Sequence, residues 1–144
     1  MKAQVRRIGG LSLAGKADSN HWVAMDALPE VGGTDAGSRP LELLLIGLGG
    51  CTAMDVLSIL AKKRVKLDDF EISLEADRTT EHPKVFTAIS LTYHFYGDDL
   101  KRSDLEAAVK LSEEKYCSVS AMLRKAAPIQ TQIEVHPPRP ARPS

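Results

Sequence analysis

A long run of hydrophobic residues without charge lies in the first half of the chain, between Glu42 and Asp55. We predict a helix over residues 40–60, because Pro40 suits a first helical turn and the lysines beyond the run suit the last one. A helix that is apolar on every face must be enclosed by lipid or by protein. The charge-free residues 43–54 number 12, fewer than the ~20 that a bilayer requires, so the pattern predicts a helix in the protein core.

Three glycines, Gly47, Gly49 and Gly50, interrupt this predicted helix just before Cys51. Each glycine in a helix interior costs about 1 kcal/mol relative to alanine. A compensating benefit of glycine is that another backbone can approach the helix closely. We therefore expect a second helix to pack beside Cys51.

Apolar and polar residues alternate in several segments on both sides of the helix, which is the pattern of half-buried strands. In residues 69–77, Phe70, Ile72 and Leu74 share one face and acidic residues occupy the other. This strand and the next, over residues 85–96, are predicted to form an antiparallel hairpin. Further strands are predicted over residues 3–8, 11–13, 21–25 and 129–136, and a glycine-rich loop over residues 29–38.

The second half of the chain contains two more predicted helices. Ser103 and Glu106 have the spacing of a capping box, which predicts a helix that starts there and ends near Tyr116. Residues 117–120 are typical of a break and restart, and a short helix follows to about Ala126, before the helix-breaking Pro128. The order is therefore βββ–α–ββ–αα–β, an α+β fold in which a mostly antiparallel sheet carries its helices on one face.

The composition indicates an ordinary globular protein. The 144 residues fit one domain, which we predict over residues 1–136, followed by a disordered proline-rich tail over residues 137–144. Lys and Arg together number 19, as do Asp and Glu, and this balance does not favour nucleic acid or anionic lipid as a partner. The N-terminal residues do not resemble a signal peptide, and we expect a cytoplasmic protein.

Two cysteines, Cys51 and Cys117, are the first candidates for chemistry. One interpretation is structural, because free cysteine is often a small buried hydrophobic residue. The other is that both are reactive. Cys51 adjoins glycines that let a reactant approach, and Cys117 lies at a predicted helix N-terminus, whose dipole stabilises a thiolate. The residues alone leave both interpretations open.

Charged residues near the long helix are the next candidates. Arg39 and Glu42 lie at its N-terminal end, where they either stabilise the helix or take part in a site. Arg39 precedes Cys51 by 12 residues, about 18 Å along a helix, so it can activate only a thiol of another helix or another subunit. Asp55 follows Cys51 by one turn and would raise a thiol pKa, and we expect a structural or interface role for it.

The histidines give no indication of a metal centre. None of the four has a metal-ligand spacing with either cysteine, and surface or strand positions account for all of them. We therefore expect no metal site and no cofactor. The four residues are His21, His82, His94 and His136.

The chain resembles the OsmC/Ohr family of thiol-dependent hydroperoxide reductases. Residues 40–51, PLELLLIGLGGC, are similar to the family's proline–acid–leucine run ending in a small–small–cysteine motif. Residues 114–120, EKYCSVS, are similar to its second-cysteine motif. Together with the strand order, the resemblance covers about residues 2–136, and both motifs are similar to those of the YhfA-like branch.

The resemblance implies an OsmC-like intertwined homodimer, with antiparallel sheets wrapped around two long central helices and active sites at the subunit interface. It implies that Cys51 attacks a hydroperoxide and becomes a sulfenic acid, that Cys117 closes a disulfide, and that an external thiol reduces it. Arg39 and Glu42 would then reach the thiol of the partner subunit. Two alternatives stay open: a redox or apolar small-molecule-binding protein that uses the same pocket, and a structural dimer with inert thiols.

Overall fold

The structure is a computed structural model, and it describes residues 1–139. The chain divides into two compact units, one formed by residues 1–46 and the other beginning at Gly47. The elements follow the predicted order, with three strands, a long helix, two strands, two helices and a final strand. The prediction of an α+β fold is confirmed.

The first unit contains a three-stranded antiparallel sheet of β1 (Ala3–Gly9), β2 (Ser12–Ala17) and β3 (Val23–Met25). Gly10 has a φ of 53° in the turn between β1 and β2, a conformation that glycine adopts without strain. A single 3₁₀ turn, Pro29–Val31, interrupts the predicted loop. Large apolar side chains in the strands and directly beside them are exposed; these are Val5, Ile8, Leu11, Trp22 and Val23.

The long helix α1 (Pro40–Lys62) begins at the predicted proline and ends two residues later than predicted. Its length and composition would also allow it to cross a membrane, a test that core helices of soluble proteins pass as well. The prediction that protein encloses every face is wrong for the single chain. Met54 is 73% exposed and Ile46 59% exposed, and Leu44 and Leu57 are exposed too.

The second unit is built on a sheet of β4 (Asp69–Arg78), β5 (Phe86–Tyr96) and β6 (Ile129–His136), in that order. β4 and β5 form the predicted antiparallel hairpin, whereas β6 runs parallel to β5. Alternate residues of β5 point into the core, where Tyr93 and Phe95 are fully buried. The other large buried side chains of this core are Leu48, Val56, Leu60, Ile89, Leu91 and Leu105.

Between β5 and β6 the chain forms α2 (Arg102–Leu111), a π-helical turn (Ser112–Tyr116) and α3 (Ser118–Leu123). The predicted capping box is wrong. Lys101 occupies the N-cap position, and no side-chain capping bond is found there within the described residues. Glu106 instead accepts a hydrogen bond from Arg102 Nε at 2.8 Å, and the helix starts one residue earlier than Ser103.

The predicted tail begins within the described residues, and its residues 140–144 lie outside them. Arg139 donates hydrogen bonds to Asp69 Oδ2 at 3.1 Å and Glu71 Oε2 at 3.0 Å. Its guanidinium carbon also lies 3.8 Å from the centre of the Tyr96 ring. These contacts tie the start of the tail to the acidic face of β4.

Candidate active site

Cys51 lies near the middle of α1 and is half-buried. The N-terminal end of a second helix lies beside Cys51, as expected, because Cys117 is the N-cap residue of α3, but within the described chain no helix approaches the neighbouring glycines. A Cβ added to Gly49 would lie 2.8 Å from Leu74 Cδ1, so a side chain of β4 makes the close approach. Gly47 and Gly50 have no described atom within 4 Å of such a Cβ. The backbone beside Cys51 is therefore open on one side of the helix within this chain.

Cys117 links the π-helical turn to α3 and is 2% exposed. It is the N-cap residue of α3, and its Sγ accepts a hydrogen bond from the backbone N–H of Ser120 at 3.4 Å. The sequence had predicted this position at a helix N-terminus. The short turn therefore fixes the direction of the Cys117 side chain.

The two cysteines, far apart in sequence, meet in the second unit. Cys51 Sγ, Cys117 Sγ and a carboxylate oxygen of Asp55 all lie within 4.8 Å of one another. At this separation a modest movement brings two sulphurs to the bond length of a disulfide, about 2.05 Å. Two thiols and a carboxylate are also donors that a soft or borderline divalent cation accepts. We call these three residues the thiol cluster.

Burial, and not the helix dipole, dominates the pKa of the Cys117 thiol. Burial raises the pKa of the Cys117 thiol to about 11, and the hydrogen bond from Ser120 opposes this rise only in part. The hydrogen bond with Cys51 and the negative charges of Cys51 and Asp55 raise it further. The expectation of a stabilised thiolate at Cys117 is therefore wrong: this residue is a neutral thiol at neutral pH.

A chain of buried hydroxyl groups leads to the carboxylate of the thiol cluster. Ser112 Oγ donates to Asp55 Oδ2 at 3.1 Å and lies 3.1 Å from Thr52 Oγ1, which in turn lies 2.6 Å from Tyr93 Oη. Each hydroxyl has one proton, and a carboxylate only accepts. Ser112 therefore accepts from Thr52, and Thr52 accepts from Tyr93. Burial raises the pKa of Tyr93 to about 12, which keeps this donor protonated.

The sequence analysis did not identify this hydroxyl chain. The signal that was available is Thr52, a polar residue inside the charge-free run of α1 and directly after Cys51. In the structure Thr52 is 1% exposed, and Ser112 is fully buried. Buried hydroxyl groups require hydrogen-bond partners, so a threonine at such a position predicts a polar network nearby.

A cavity of about 310 Å³ lies beside the thiol cluster and shares Asp55 with it. Its walls combine apolar side chains, Ile59, Leu111 and Tyr116, with the lysine at the end of α1, Lys62. This volume is at the lower end of the range for small-molecule sites, about 300–1,000 Å³. The cavity therefore offers a small, partly apolar ligand a place next to the carboxylate.

Arg39 and Glu42 lie together at the start of α1, in the first unit. The Glu42 side chain accepts a hydrogen bond from the backbone N–H of Arg39 at 2.9 Å, which is half of a capping box. The Arg39 guanidinium donates to Asp35 at 2.6 Å and lies 3.6 Å from the Glu42 carboxylate. Both residues thus cap the helix, and the arginine is held by two carboxylates at its N-terminal end.

Asp26 holds the loop that leads to this arginine. It is 3% exposed and accepts hydrogen bonds from the hydroxyls of Ser12 and Thr34 and from the backbone N–H groups of Ala27, Thr34 and Ala36. The bond from Thr34 contributes most to lowering the pKa of this carboxyl well below its usual range. Asp26 therefore orders the loop as a carboxylate.

Comparisons with known proteins agree with the resemblance in the sequence. A family model described as OsmC-like protein matches residues 33–132. Protein YhfA of Escherichia coli K12 is 42% identical over 135 residues, which cover 94% of this chain and 98% of that protein. A crystal structure of a hypothetical protein from Aquifex aeolicus VF5 is 32% identical with a TM-score of 0.83, covering 96% of this chain and 97% of the other. The organic hydroperoxide resistance protein OhrB of Bacillus subtilis is 18% identical and shares the fold, with a TM-score of 0.64 over 93% and 98% of the two chains.

Proposed function

Because the chain belongs to the OsmC-like protein family, we propose that it is a cytoplasmic thiol-dependent peroxidase that reduces organic hydroperoxides or hydrogen peroxide. The observation that carries the proposal is the separation of at most 4.8 Å between Cys51 Sγ and Cys117 Sγ. Structural neighbours of this fold include proteins named for organic hydroperoxide resistance. The proposal extends that chemistry to this chain.

Cys51 is the attacking residue in this proposal, because it is half-buried whereas Cys117 is 2% exposed. The Cys51 thiolate attacks one oxygen of the hydroperoxide, and the O–O bond breaks. The sulphur is oxidised to a sulfenic acid while the peroxide is reduced to an alcohol, with one proton taken up from solvent. The cavity that is lined by Asp55, a residue of the thiol cluster, supports access of a reactant to this sulphur.

Cys117 resolves the sulfenic acid. Its sulphur attacks the Cys51 sulphur, a disulfide forms, and the hydroxyl of the sulfenic acid leaves as water with the proton of the Cys117 thiol. Because the pKa of Cys117 is about 11, its proton is present until this step. Two equivalents of an external thiol then reduce the disulfide and are themselves oxidised to a disulfide.

A homodimer is part of the same proposal. Four large apolar residues of α1 are exposed in the single chain, as are five in or beside the sheet of the first unit, and a second copy would cover them. In such a dimer Arg39 and Glu42 of one subunit would lie close to the Cys51 thiol of the other. The guanidinium would then stabilise the thiolate. Replacement of Arg39 by methionine should then raise the pH at which Cys51 is alkylated.

The test of the peroxidase proposal is turnover of cumene hydroperoxide in the presence of dithiothreitol. We expect Cys51→Ser to lower the rate to that of dithiothreitol alone. In a separate reaction without dithiothreitol, Cys117→Ser should react once and should accumulate a sulfenic acid that dimedone traps on Cys51. Wild-type protein that does not consume hydroperoxide, or a Cys51→Ser variant as active as wild type, would overturn the proposal.

The dimer is tested separately by light scattering after gel filtration. Met54→Glu places a charge on the exposed face of α1 and should shift the protein towards a monomer. Val85→Glu is the matched control, because Val85 is also exposed, at 50%, but lies before β5. A wild-type protein that is monomeric at all concentrations would contradict this part of the proposal.

The cavity beside Asp55 supports a second candidate, a binding protein for a small apolar molecule that has no peroxidase activity. Leu111→Trp should fill the cavity and abolish binding of such a ligand. The two functions can be distinguished by experiment. The ligand would raise the melting temperature of a binding protein, but that protein would consume no hydroperoxide even with both cysteines present.

A further inference from the structure

The solvent face of the second sheet brings two histidines and a glutamate together. His94 of β5 is the direct register partner of Glu134 in β6, and Tyr96 is the partner of His136. Because side chains alternate along a strand, Glu134 and His136 point to the same face of β6. The sequence analysis compared these histidines only with the cysteines and so did not find the group.

The three donor atoms form a small triangle. His94 Nδ1 lies 3.2 Å from Glu134 Oε2 and 3.1 Å from His136 Nε2, and the remaining side, from His136 Nε2 to Glu134 Oε2, measures 3.5 Å. A tetrahedral zinc ion with bonds of about 2.0 Å holds its ligand atoms about 3.3 Å apart. The triangle therefore has the dimensions of one face of such a site.

The surroundings hold both imidazole rings in place. Ser73 Oγ lies 3.1 Å from His94 Nε2, the nitrogen that points away from the triangle. When His94 Nε2–H donates to this hydroxyl, Nδ1 presents a lone pair to the other two donors. The His136 ring stacks on Tyr96 with centroids 4.6 Å apart. The side chains of His94, His136 and Glu134 are 18%, 31% and 49% exposed, so an ion can reach them from solvent.

We propose that His94, Glu134 and His136 bind a divalent transition-metal ion of the zinc class. Two imidazoles and a carboxylate are a ligand set that such ions prefer, and water would complete the coordination. Glu71, opposite His94 in the register, is paired with Arg139, so the negative charge at the site is that of Glu134. This site is separate from the thiol cluster and does not depend on peroxidase chemistry.

The competing explanation is an ion-pair cluster, in which a protonated histidine bridges Glu134 and the second histidine. Both explanations use the same side chains, so the loss of stability in a histidine variant cannot separate them. Direct detection of bound metal can. The thiol cluster could also bind a metal ion, so both cysteines are replaced in the experiment.

The test is a titration of the full-length Cys51→Ser/Cys117→Ser protein with Co²⁺, followed by displacement with Zn²⁺. We expect one equivalent of Co²⁺ to give the intense visible absorption of a tetrahedral ion, and Zn²⁺ to abolish it. His94→Ala and His136→Ala should abolish the signal, whereas His82→Ala, in an exposed loop, should retain it. Ser73→Ala should weaken binding about tenfold, as the loss of an outer-shell partner does.

A second measurement covers the case in which the double cysteine variant does not fold. Calorimetric titration of otherwise unmodified protein with Zn²⁺ should lose one binding event in His136→Gln and none in His82→Gln. The proposal is overturned if Co²⁺ gives no tetrahedral spectrum, or if the His94 and His136 variants bind as many equivalents as the His82 control.

Discussion

Ser112 donates its hydroxyl proton to the Asp55 carboxylate across 3.1 Å, from the turn after α2 to the middle of α1. This contact gives the buried hydroxyl chain a direction, because the carboxylate can only accept. Tyr93 is then the first donor and Ser112 the last. The direction makes the three hydroxyl groups unequal in their contribution to stability.

Ser112→Ala should destabilise the protein more than Tyr93→Phe. Removal of Ser112 leaves the buried proton of Thr52 without an acceptor, which costs about 1–3 kcal/mol, whereas loss of the Tyr93 hydroxyl leaves only an acceptor unfilled and costs about 1 kcal/mol. The free energy of unfolding in urea measures both changes. The opposite order would show that the chain runs from Ser112 to Tyr93.

Stability should fall in alkaline solution because of Cys117. The folded pKa of this thiol is raised from 9.0 to about 11, so the folded protein retains a proton that the unfolded chain loses. A raised pKa contributes stability that is complete below pH 9 and is lost as pH rises towards 11.

Urea unfolding of wild type and Cys117→Ala between pH 8 and 11 checks this prediction. The difference in unfolding free energy between the two proteins should shrink as the pH rises through about 9 to 11. Tyr93, whose pKa is raised from 10.0 to about 12, lowers the stability of both proteins only above about pH 10, so the change between pH 9 and 10 is the one that reports Cys117. A difference that does not change with pH would contradict the burial argument.

Asp26→Asn should lower the melting temperature at neutral pH by several degrees, because an amide replaces a carboxylate that accepts bonds from three backbone N–H groups and two hydroxyls. The folded pKa of Asp26 is lowered, so its contribution is present above about pH 4 and is lost on further acidification. Wild type and variant should therefore converge in acid. Asp18→Asn, at an exposed carboxylate, serves as the control and should change little.

Gly49→Ala should stabilise the protein by less than the about 1 kcal/mol that alanine otherwise adds in a helix interior. The new methyl group would lie 2.8 Å from Leu74 Cδ1, and turning this half-buried side chain away offsets part of the gain. In a Leu74→Ala background the same change should give the full gain. A double-mutant cycle measures the coupling, and additive effects would show that Leu74 is not the obstacle.

Much of the fold could be predicted from local patterns. The alternation in residues 69–77 predicted β4, and the charge-free run predicted α1, because burial imposes a period on each element. The parallel pairing of β6 with β5 could not be predicted, since strand direction depends on how the chain returns after α3. The predicted capping box at Ser103 is absent because the helix begins at Arg102, which places Ser103 inside the first turn and not at the N-cap.

Local sequence patterns also predicted only part of the candidate site. Sequence patterns identified both cysteines and the helix N-terminus at Cys117, which are local features. They could not show that burial outweighs the hydrogen bond from Ser120, because burial depends on packing between distant segments. Asp26 was missed for a similar reason, as its donors come from β2 and from a loop with no distinctive motif.

The most direct test of the central claim is to add one equivalent of cumene hydroperoxide to reduced protein and to map the product by mass spectrometry. We expect a disulfide between Cys51 and Cys117 within one chain, with the loss of two hydrogens, and a stable sulfenic acid only in Cys117→Ser. A wild-type product with an oxidised Cys51 and a free Cys117, or with both thiols unchanged, would contradict the claim that these two neighbouring sulphurs act as a redox pair.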